Sequence, residues 1–257
     1  MVRSLYTAHM GMVHQMNRLD VITNNMANSD TTAYKREGCT SQTFDAVMGI
    51  KINDCSVHYI HQPIGRMSLG VKVGETYTDY TDGNLEETGN TYDIALGGKG
   101  FFAISYADRN GNESIRYTRD GNFTVNSEGI LMTKDGDFVL GEDNGLIIIP
   151  EGVKISVDET GRITGEGQEI GRFQLVDFED YDYLKKFGEN MYIAIDGATN
   201  TEPTCRVFQG YLEASNVNAV SEMVELIAIA RDYESNQKVI QSIDSTLERS
   251  VGLGKMT

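Results

Sequence analysis

Cysteine is scarce in this 257-residue sequence: Cys39, Cys55 and Cys205 are all there is. The number is odd, and no CxxC pair or Cys/His cluster occurs. That argues against a disulfide framework or a zinc site and leaves free thiols. Long apolar runs are missing as well. The longest aliphatic stretch, Leu146 to Ile149, is far too short to cross a bilayer, so no direct membrane insertion is expected. Near the N-terminus, Arg18 and Asp20 interrupt any signal-peptide core. If the chain leaves the cytoplasm, a route without a cleaved signal is expected. Basic charge is also short: 22 Lys and Arg stand against 38 Asp and Glu, a net −16. Residues 1–50 are neutral and residues 210–257 carry −3, so −13 of the −16 falls on the middle. Such a middle disfavours nucleic acid and repels its like. The two ends lack that repulsion, which suits packing of like with like.

What the ends do contain is helical period. Leu5, Met12, Leu19 and Met26 recur every seven residues, with Ala8, Met16 and Ile22 between them. That is a narrow apolar stripe on a helix without internal proline. Ser4 is the expected N-cap and Asn28-Ser29-Asp30 the expected stop. At the other end Leu226, Tyr233, Ile240 and Leu247 keep the same spacing, widened by Ala219, Met223, Ala230, Ile243 and Val251. Asn216 or Asn218 is expected to cap its start and Gly252 to end it. Val13 and Ile229 lie beside the stripes. Pairing the two helices is therefore expected to leave apolar surface bare, to be covered by helices of other subunits. The alternative is an intramolecular helical hairpin lying on the central domain.

The middle reads as β structure. Turn signals recur at Asp82-Gly83, Asn110-Gly111, Asp120-Gly121, Glu128-Gly129, Asp135-Gly136 and Thr160-Gly161. Strand-like runs lie between them: Phe101 to Ser105, Phe123 to Asn126, Phe138 to Leu140, Leu146 to Ile149 and Lys154 to Val157. Arg119 to Val125 and Lys134 to Leu140 look alike, as repeated hairpin chemistry. Residues 37–80 read as an extended connector with some strand. The expected class is α+β: a discontinuous coiled-coil-like domain from the terminal helices (1–36 and 209–257), the connector 37–80, and a mainly β outer domain, 81–208.

Chemical motifs give little. Asp177, Glu179, Asp180 and Asp182 lack the Gly and distal Glu of a calcium loop and read as a solvated acidic face. Gly97-Gly98-Lys99-Gly100 lacks phosphate-loop spacing and reads as a tight turn into a strand. His58 and His61 are three apart but have no evident third ligand, and His9 and His14 read as surface or seam residues. No nucleophile–base spacing appears. No enzyme, cofactor or metal is expected.

The residues also carry a resemblance. Leu19-Asp20-Val21-Ile22-Thr23-Asn24-Asn25-Met26-Ala27-Asn28, followed by Thr31-Thr32-Ala33-Tyr34-Lys35, resembles the N-terminal signature of flagellar rod and hook proteins. Gln209 to Asn218 is similar to the entry into their C-terminal helix, and Glu222-Met223-Val224, Leu226-Ile227, Arg231 and Tyr233-Glu234 continue it. Asp93-Ile94-Ala95-Leu96, Gly100-Phe101-Phe102, Tyr117-Thr118-Arg119 and Gly121-Asn122-Phe123 resemble the same family's β domain. Two departures stand out: Ser29-Asp30 replaces an apolar residue and Asn, and Ala33 stands where Gly is common. Residues 222–231 look like the proximal-rod type and 233–247 like the distal-rod type, and the two stay open.

The resemblance implies a structural rod subunit, exported without a cleaved signal peptide, that sits in the flagellar basal body. It implies partners among copies of itself and related rod and hook subunits, the export apparatus and basal-body ring proteins. The expected assembly residues are Leu5, Met12, Met16, Leu19, Ile22, Asn24, Asn25, Met26, Asn28, Met223, Leu226, Ala230, Tyr233, Ile240 and Leu247. Asn24, Asn25 and Asn28 are read either as helix-end capping groups or as amides bonding across subunits to set register. Competing readings are a hook-type axial protein, a secreted β-domain binding module or adhesin with coiled ends, and a glycoside hydrolase.

Overall fold

A computed structural model describes residues 2–50, 63–68, 70–108, 113–150 and 152–254. Cys55, His58, His61 and the Asn110-Gly111 turn lie outside the described residues. The chain forms two compact units, one from residues 1–27, 37–79 and 218–257, the other from residues 28–36 and 80–217.

The first unit holds two helices, α1 (Val2–Ala27) and α2 (Ala219–Gly254). They run antiparallel. Gln15 Nε2 donates to Asp232 Oδ2 at 3.5 Å, Arg18 Nη2 to Glu225 Oε1 at 2.8 Å, and Asn25 Nδ2 to Glu222 Oε2 at 3.4 Å. Gly11 sits close to the Asn236 side chain; a Cβ there would lie 3.1 Å from its amide nitrogen. The N-cap differs from the expected Ser4. The helix is already formed at Arg3, whose carbonyl accepts from the Thr7 hydroxyl at 3.0 Å, so Ser4 is inside it. The stop after Ala27 is as expected, and Thr31 folds back onto Asn28 through its N–H and its hydroxyl. Asn218 caps α2, its side chain accepting from the Ser221 N–H at 3.1 Å. Gly252 does not end α2. It lacks the positive φ of a helix-terminating glycine, and the helix continues to Gly254.

Residues 37–79 are more than a connector. Strand β1 (Glu37–Thr43) pairs antiparallel with β4 (Val71–Thr78), shifting register between Cys39 and Ser41. Between them β2 (Val47–Ile50) pairs with β3 (Pro63–Met67). The β1–β4 ladder packs on α1. The Asn25 amide fixes its start, donating to the Glu37 carbonyl at 2.8 Å and accepting from the Glu37 N–H at 2.9 Å. This is why the strip belongs with the helices.

The second unit is antiparallel β throughout its described pairings. In the main sheet the order is Leu184–Phe187, Met191–Ala194, Glu113–Thr118, Phe101–Ala107, Phe138–Val139, Leu131–Thr133, Phe123–Val125. Leu175–Phe178 also pairs with Phe101–Ala107. The two look-alike segments flank one strand: Phe123–Val125 and Phe138–Val139 both pair with Leu131–Thr133. Gly129 and Gly136 turn these hairpins at φ of 82° and 98°, which side chains with a Cβ resist. Leu146 to Ile149 is not a regular strand. It makes isolated bridges, Leu140 to Leu146 and Ile130 to Ile148, while Ile147 and Ile149 turn inward. Gly97 to Gly100 is the turn expected, joining Ile94–Gly97 to Phe101–Ala107.

Adjacent phenylalanines serve opposite faces, as strand pleating requires. Phe102 packs with Ile104, Phe123, Leu131 and Phe173, and Phe101 with Phe178, Leu184 and Tyr192. The unit borders differ from the sequence boundaries: residues 28–36 and 209–217 fold with the β unit. The cause is a buried ion cluster described next.

Candidate assembly surface

The terminal stripes are not packed in the phase the heptads suggested. On α1 the buried positions are Ala8, His14, Ile22 and Asn25. Met12, Leu19, Met26 and Asn28 are half-buried, while Leu5, Met16 and Asn24 are exposed. On α2 the buried positions are Glu222 and Ile229. Leu226, Ala230, Tyr233 and Ile240 are half-buried, and Met223 and Leu247 are exposed. Ile229, expected to stay bare beside the stripe, is only 1% exposed. The antiparallel pairing rotates each helix so that small or polar residues, Gly11 and Asn25 against Asn236 and Glu222, occupy the close approach.

That rotation turns other apolar side chains outward. Val220, Val224 and Ile227 lie at i, i+4 and i+7 on α2, one helix face, and are 72%, 64% and 51% exposed. Met223 flanks them. Farther along, residues 244–252 are all exposed, Leu247 and Val251 among them. Heptad counting missed Val220, Val224 and Ile227 because their signal sits one helix face away from the stripe. Asn25 is engaged inside its own chain, by the Glu37 backbone and Glu222 rather than by the groups at its helix end.

His14 is buried against β1, with Nε2 2.9 Å from the Ser41 hydroxyl. Burial, then the Arg18 charge, pushes its pKa below the ordinary 6.5. Below 6.5 the unfolded chain takes up this proton first, so stability is lost as pH falls. Full stability is present above 6.5, and the loss levels off below the lowered pKa. Denaturation midpoints between pH 7.5 and 4.5 are expected to fall less steeply over that window for His14→Gln than for the wild type. Parallel slopes would show that His14 does not titrate on unfolding.

The β unit is tied at its root by one carboxylate. Glu213 Oε1 accepts from Lys35 Nζ at 2.6 Å and from the Gly83 N–H at 2.9 Å, and Oε2 accepts from Arg119 Nε at 3.0 Å. Arg119 also pairs with Asp82 at 3.1 Å and donates to the Gly98 carbonyl at 2.6 Å. Lys35 donates its other bond to the Thr81 carbonyl at 2.7 Å. Burial, reinforced by Arg119 and opposed by Glu213, holds Lys35 below its usual pKa. Beside it, Lys186 lies 3.7 Å above the Tyr34 ring. Ala33 takes a positive φ of 56° here, a geometry that favours glycine, and its N–H reaches the Glu213 carbonyl at 2.8 Å. Lys35, Arg119 and Glu213 lie in three separate motifs of the sequence; folding makes them one site.

The chemical candidates resolve into structure. Asp177 is buried and accepts from the Tyr181 hydroxyl at 2.8 Å, and Asp180 caps the short 3-10 turn that follows. No cluster of three or more metal-ligating side chains occurs among the described residues. No helix of the described residues is long and apolar enough to span a membrane.

Comparison with known proteins places these features. Residues 5–35 match the family described as flagella basal body rod protein. Residues 95–165 match the flagellar hook protein FlgE/F/G D1 domain, and residues 209–253 the flagellar basal body rod FlgEFG protein C-terminal family. The flagellar basal-body rod protein FlgF of Caulobacter vibrioides is 37% identical over 251 residues, covering 94% of each chain. The chain belongs to the flagellar basal-body rod protein family. Rod proteins named FlgG are similar over nearly the whole length too: that of Buchnera aphidicola is 32% identical over 266 residues, covering 97% of this chain and 98% of its own. The Bacillus subtilis FlgG is 32% identical over 274 residues, covering 98% and 99%. The adhesin and hydrolase readings gain no support from these rod-family relatives, and the family is structural rather than enzymatic. All three rod-family segments meet the geometry above: 5–35 ends at Lys35, 95–165 contains Arg119, and 209–253 contains Glu213.

Proposed function

We propose that this chain is a structural subunit of the bacterial flagellar basal-body rod, joined to its neighbours through α1 and α2 in a helical shaft that transmits torque to hook and filament. The reading rests on the exposed face of Val220, Val224 and Ile227, an apolar strip on a helix that its own chain leaves in water. Strips of this kind mark protein contacts. Family membership supplies the partners: further copies and related rod and hook subunits. Delivery by the flagellar export apparatus, and contact with basal-body rings, belong to the same proposal. Pairing with neighbouring helices by coiled-coil-like packing fits the half-buried stripe of Leu19, Leu226, Tyr233 and Ile240.

Val224→Asp with Ile227→Asp tests it. Both side chains already face water, so the monomer's circular dichroism and melting are expected to stay within about 0.5 kcal/mol of wild type. Rod-like assemblies in electron micrographs, and motility in cells, are expected to be lost. Unchanged assembly would refute the assignment of this face. Leu19→Asp and Leu226→Asp are less clean, because both side chains are half-buried.

A further inference from the structure

The exposed face of α2 carries one side chain that a mild oxidant can change. Val220, Val224 and Ile227 are saturated hydrocarbon and inert to peroxides. Met223 stands beside them with its thioether in water, 51% exposed. Of the other methionines whose side chains are described, Met16 and Met48 are exposed and the rest are half-buried. Met223 has Ala219, Val220, Leu226 and Ile227 as its helix neighbours at three and four residues. None of these side chains carries a hydrogen-bond donor. The polar residue before it, Glu222, turns the other way and is buried against Asn25. As a thioether, Met223 therefore extends the apolar strip. As a sulfoxide, it would place a strong acceptor there with nothing on its own helix face to satisfy it.

We propose that Met223 is a redox-sensitive control point on the assembly face, oxidised by a peroxide in the unassembled chain and blocking assembly until it is reduced. The proposal rests on the reading that this face joins subunits. In the reaction a sulfur lone pair of Met223 attacks one oxygen of the peroxide. The S–O bond forms, the O–O bond breaks, and a proton passes to the departing oxygen, which leaves as water when the oxidant is hydrogen peroxide. Sulfur loses two electrons and the peroxide gains them. The product is a polar, chiral side chain in place of a flexible apolar one. In the free chain water satisfies the new oxygen, so the fold is not disturbed. In a contact made by Val220, Val224 and Ile227 that water is lost, and burying the oxygen without a partner opposes association. Reduction restores the thioether: a pair of thiols supplies two electrons, becomes a disulfide, and the oxygen leaves as water. Each sulfoxide epimer has its own reductase. Assembly covers the sulfur, so the control acts on chains that have not yet joined.

The test uses the full wild-type chain. Dilute hydrogen peroxide oxidises a small fraction of the methionines before assembly is started, and the assembled material is then pelleted. Peptide mass spectrometry reads the added oxygen at each methionine in pellet and supernatant. Met223 sulfoxide is expected to be depleted about tenfold or more in the pellet. Met48 sulfoxide, on β2, is the internal reference and is expected to divide evenly. Treating the supernatant with both sulfoxide reductases and a dithiol is expected to return its chains to the assembling pool. Even division of Met223 sulfoxide, equal depletion at Met48, or return of the thioether without return of assembly would overturn the proposal. If Val224→Asp with Ile227→Asp abolishes assembly while Met223 sulfoxide divides evenly, the assembly face stands and the redox control falls. Normal assembly of that variant refutes the face, and the redox control with it. A wild type that never assembles counts against both.

Discussion

Glu213→Gln is expected to destabilise the β unit by about 3–5 kcal/mol, the usual cost of breaking a buried ion pair from one side. The carboxylate is nearly inaccessible, with side-chain exposure of 1%, as is that of Lys35, and Arg119 is at 2%. Glutamine keeps the shape and one acceptor but removes the charge that faces both cations. Asp82 is half in solvent, pairs with Arg119 and acts on Lys35 more weakly than Glu213 does, so it cannot compensate for Lys35. The three groups are 178 and 94 positions apart in sequence, and their loss should release residues 28–36 and 209–217 together. Chemical denaturation followed by tyrosine fluorescence gives the stability. Amide exchange at Ala33 and Asn216, both bonded into this region, reports the release. A loss below about 1 kcal/mol, in the range of surface ion pairs, would show that the cluster is not the fastening argued here. The triple replacement of Lys35, Arg119 and Glu213 by Met is expected to be less harmful than Glu213→Gln, because it leaves no uncompensated buried charge.

Gly121→Ala is the second change expected to be severe, at about 3 kcal/mol, the upper part of the overpacking range. A Cβ on Gly121 would fall 1.5 Å from the Ile94 carbonyl oxygen and 2.6 Å from its carbon. These are backbone atoms and cannot rotate away. The two chains would have to part, which breaks the Ile94 N–H bond to the Gly121 carbonyl at 3.0 Å and the Asp93 to Asn122 bridge beside it. Asp120 would move as well. Its carboxylate, which burial already pushes toward the neutral form, accepts from Thr32 at 2.9 Å and Asn190 at 2.8 Å. Gly171→Ala is the control: nothing lies within 4 Å of its added methyl and its φ is not positive. Its stability is expected to change by less than about 0.5 kcal/mol. Melting curves of the two variants check the contrast. Equal melting temperatures would mean that the strand at Ile94 yields without cost.

Features that depend on near neighbours were legible along the chain. Proline-free heptads at the two ends set α1 and α2, because helix periodicity is local. Asn28 and Asn218 marked two of the ends, since short polar side chains bond within three residues, Asn28 to the Thr31 hydroxyl and Asn218 to the Ser221 N–H. Glu128-Gly129 and Asp135-Gly136 marked hairpins, because positive φ is a single-residue property. The motif resemblance carried the family. Tertiary structure decided what depends on distant partners. Which face of each helix turns inward is fixed by close approach, Gly11 to Asn236 and Asn25 to Glu222, and not by the hydrophobic period that both faces share. Residues 37–79 join the helices because Asn25 clasps the Glu37 backbone. Lys35, Arg119 and Glu213 become one buried cluster only when the fold brings together the loop at Lys35, the residue after the strand Glu113–Thr118 and the strand Tyr211–Glu213. Burial then makes three ordinary charged residues mutually dependent, since a charge out of water needs its counter-charge at hydrogen-bond distance, and no local pattern encodes that distance.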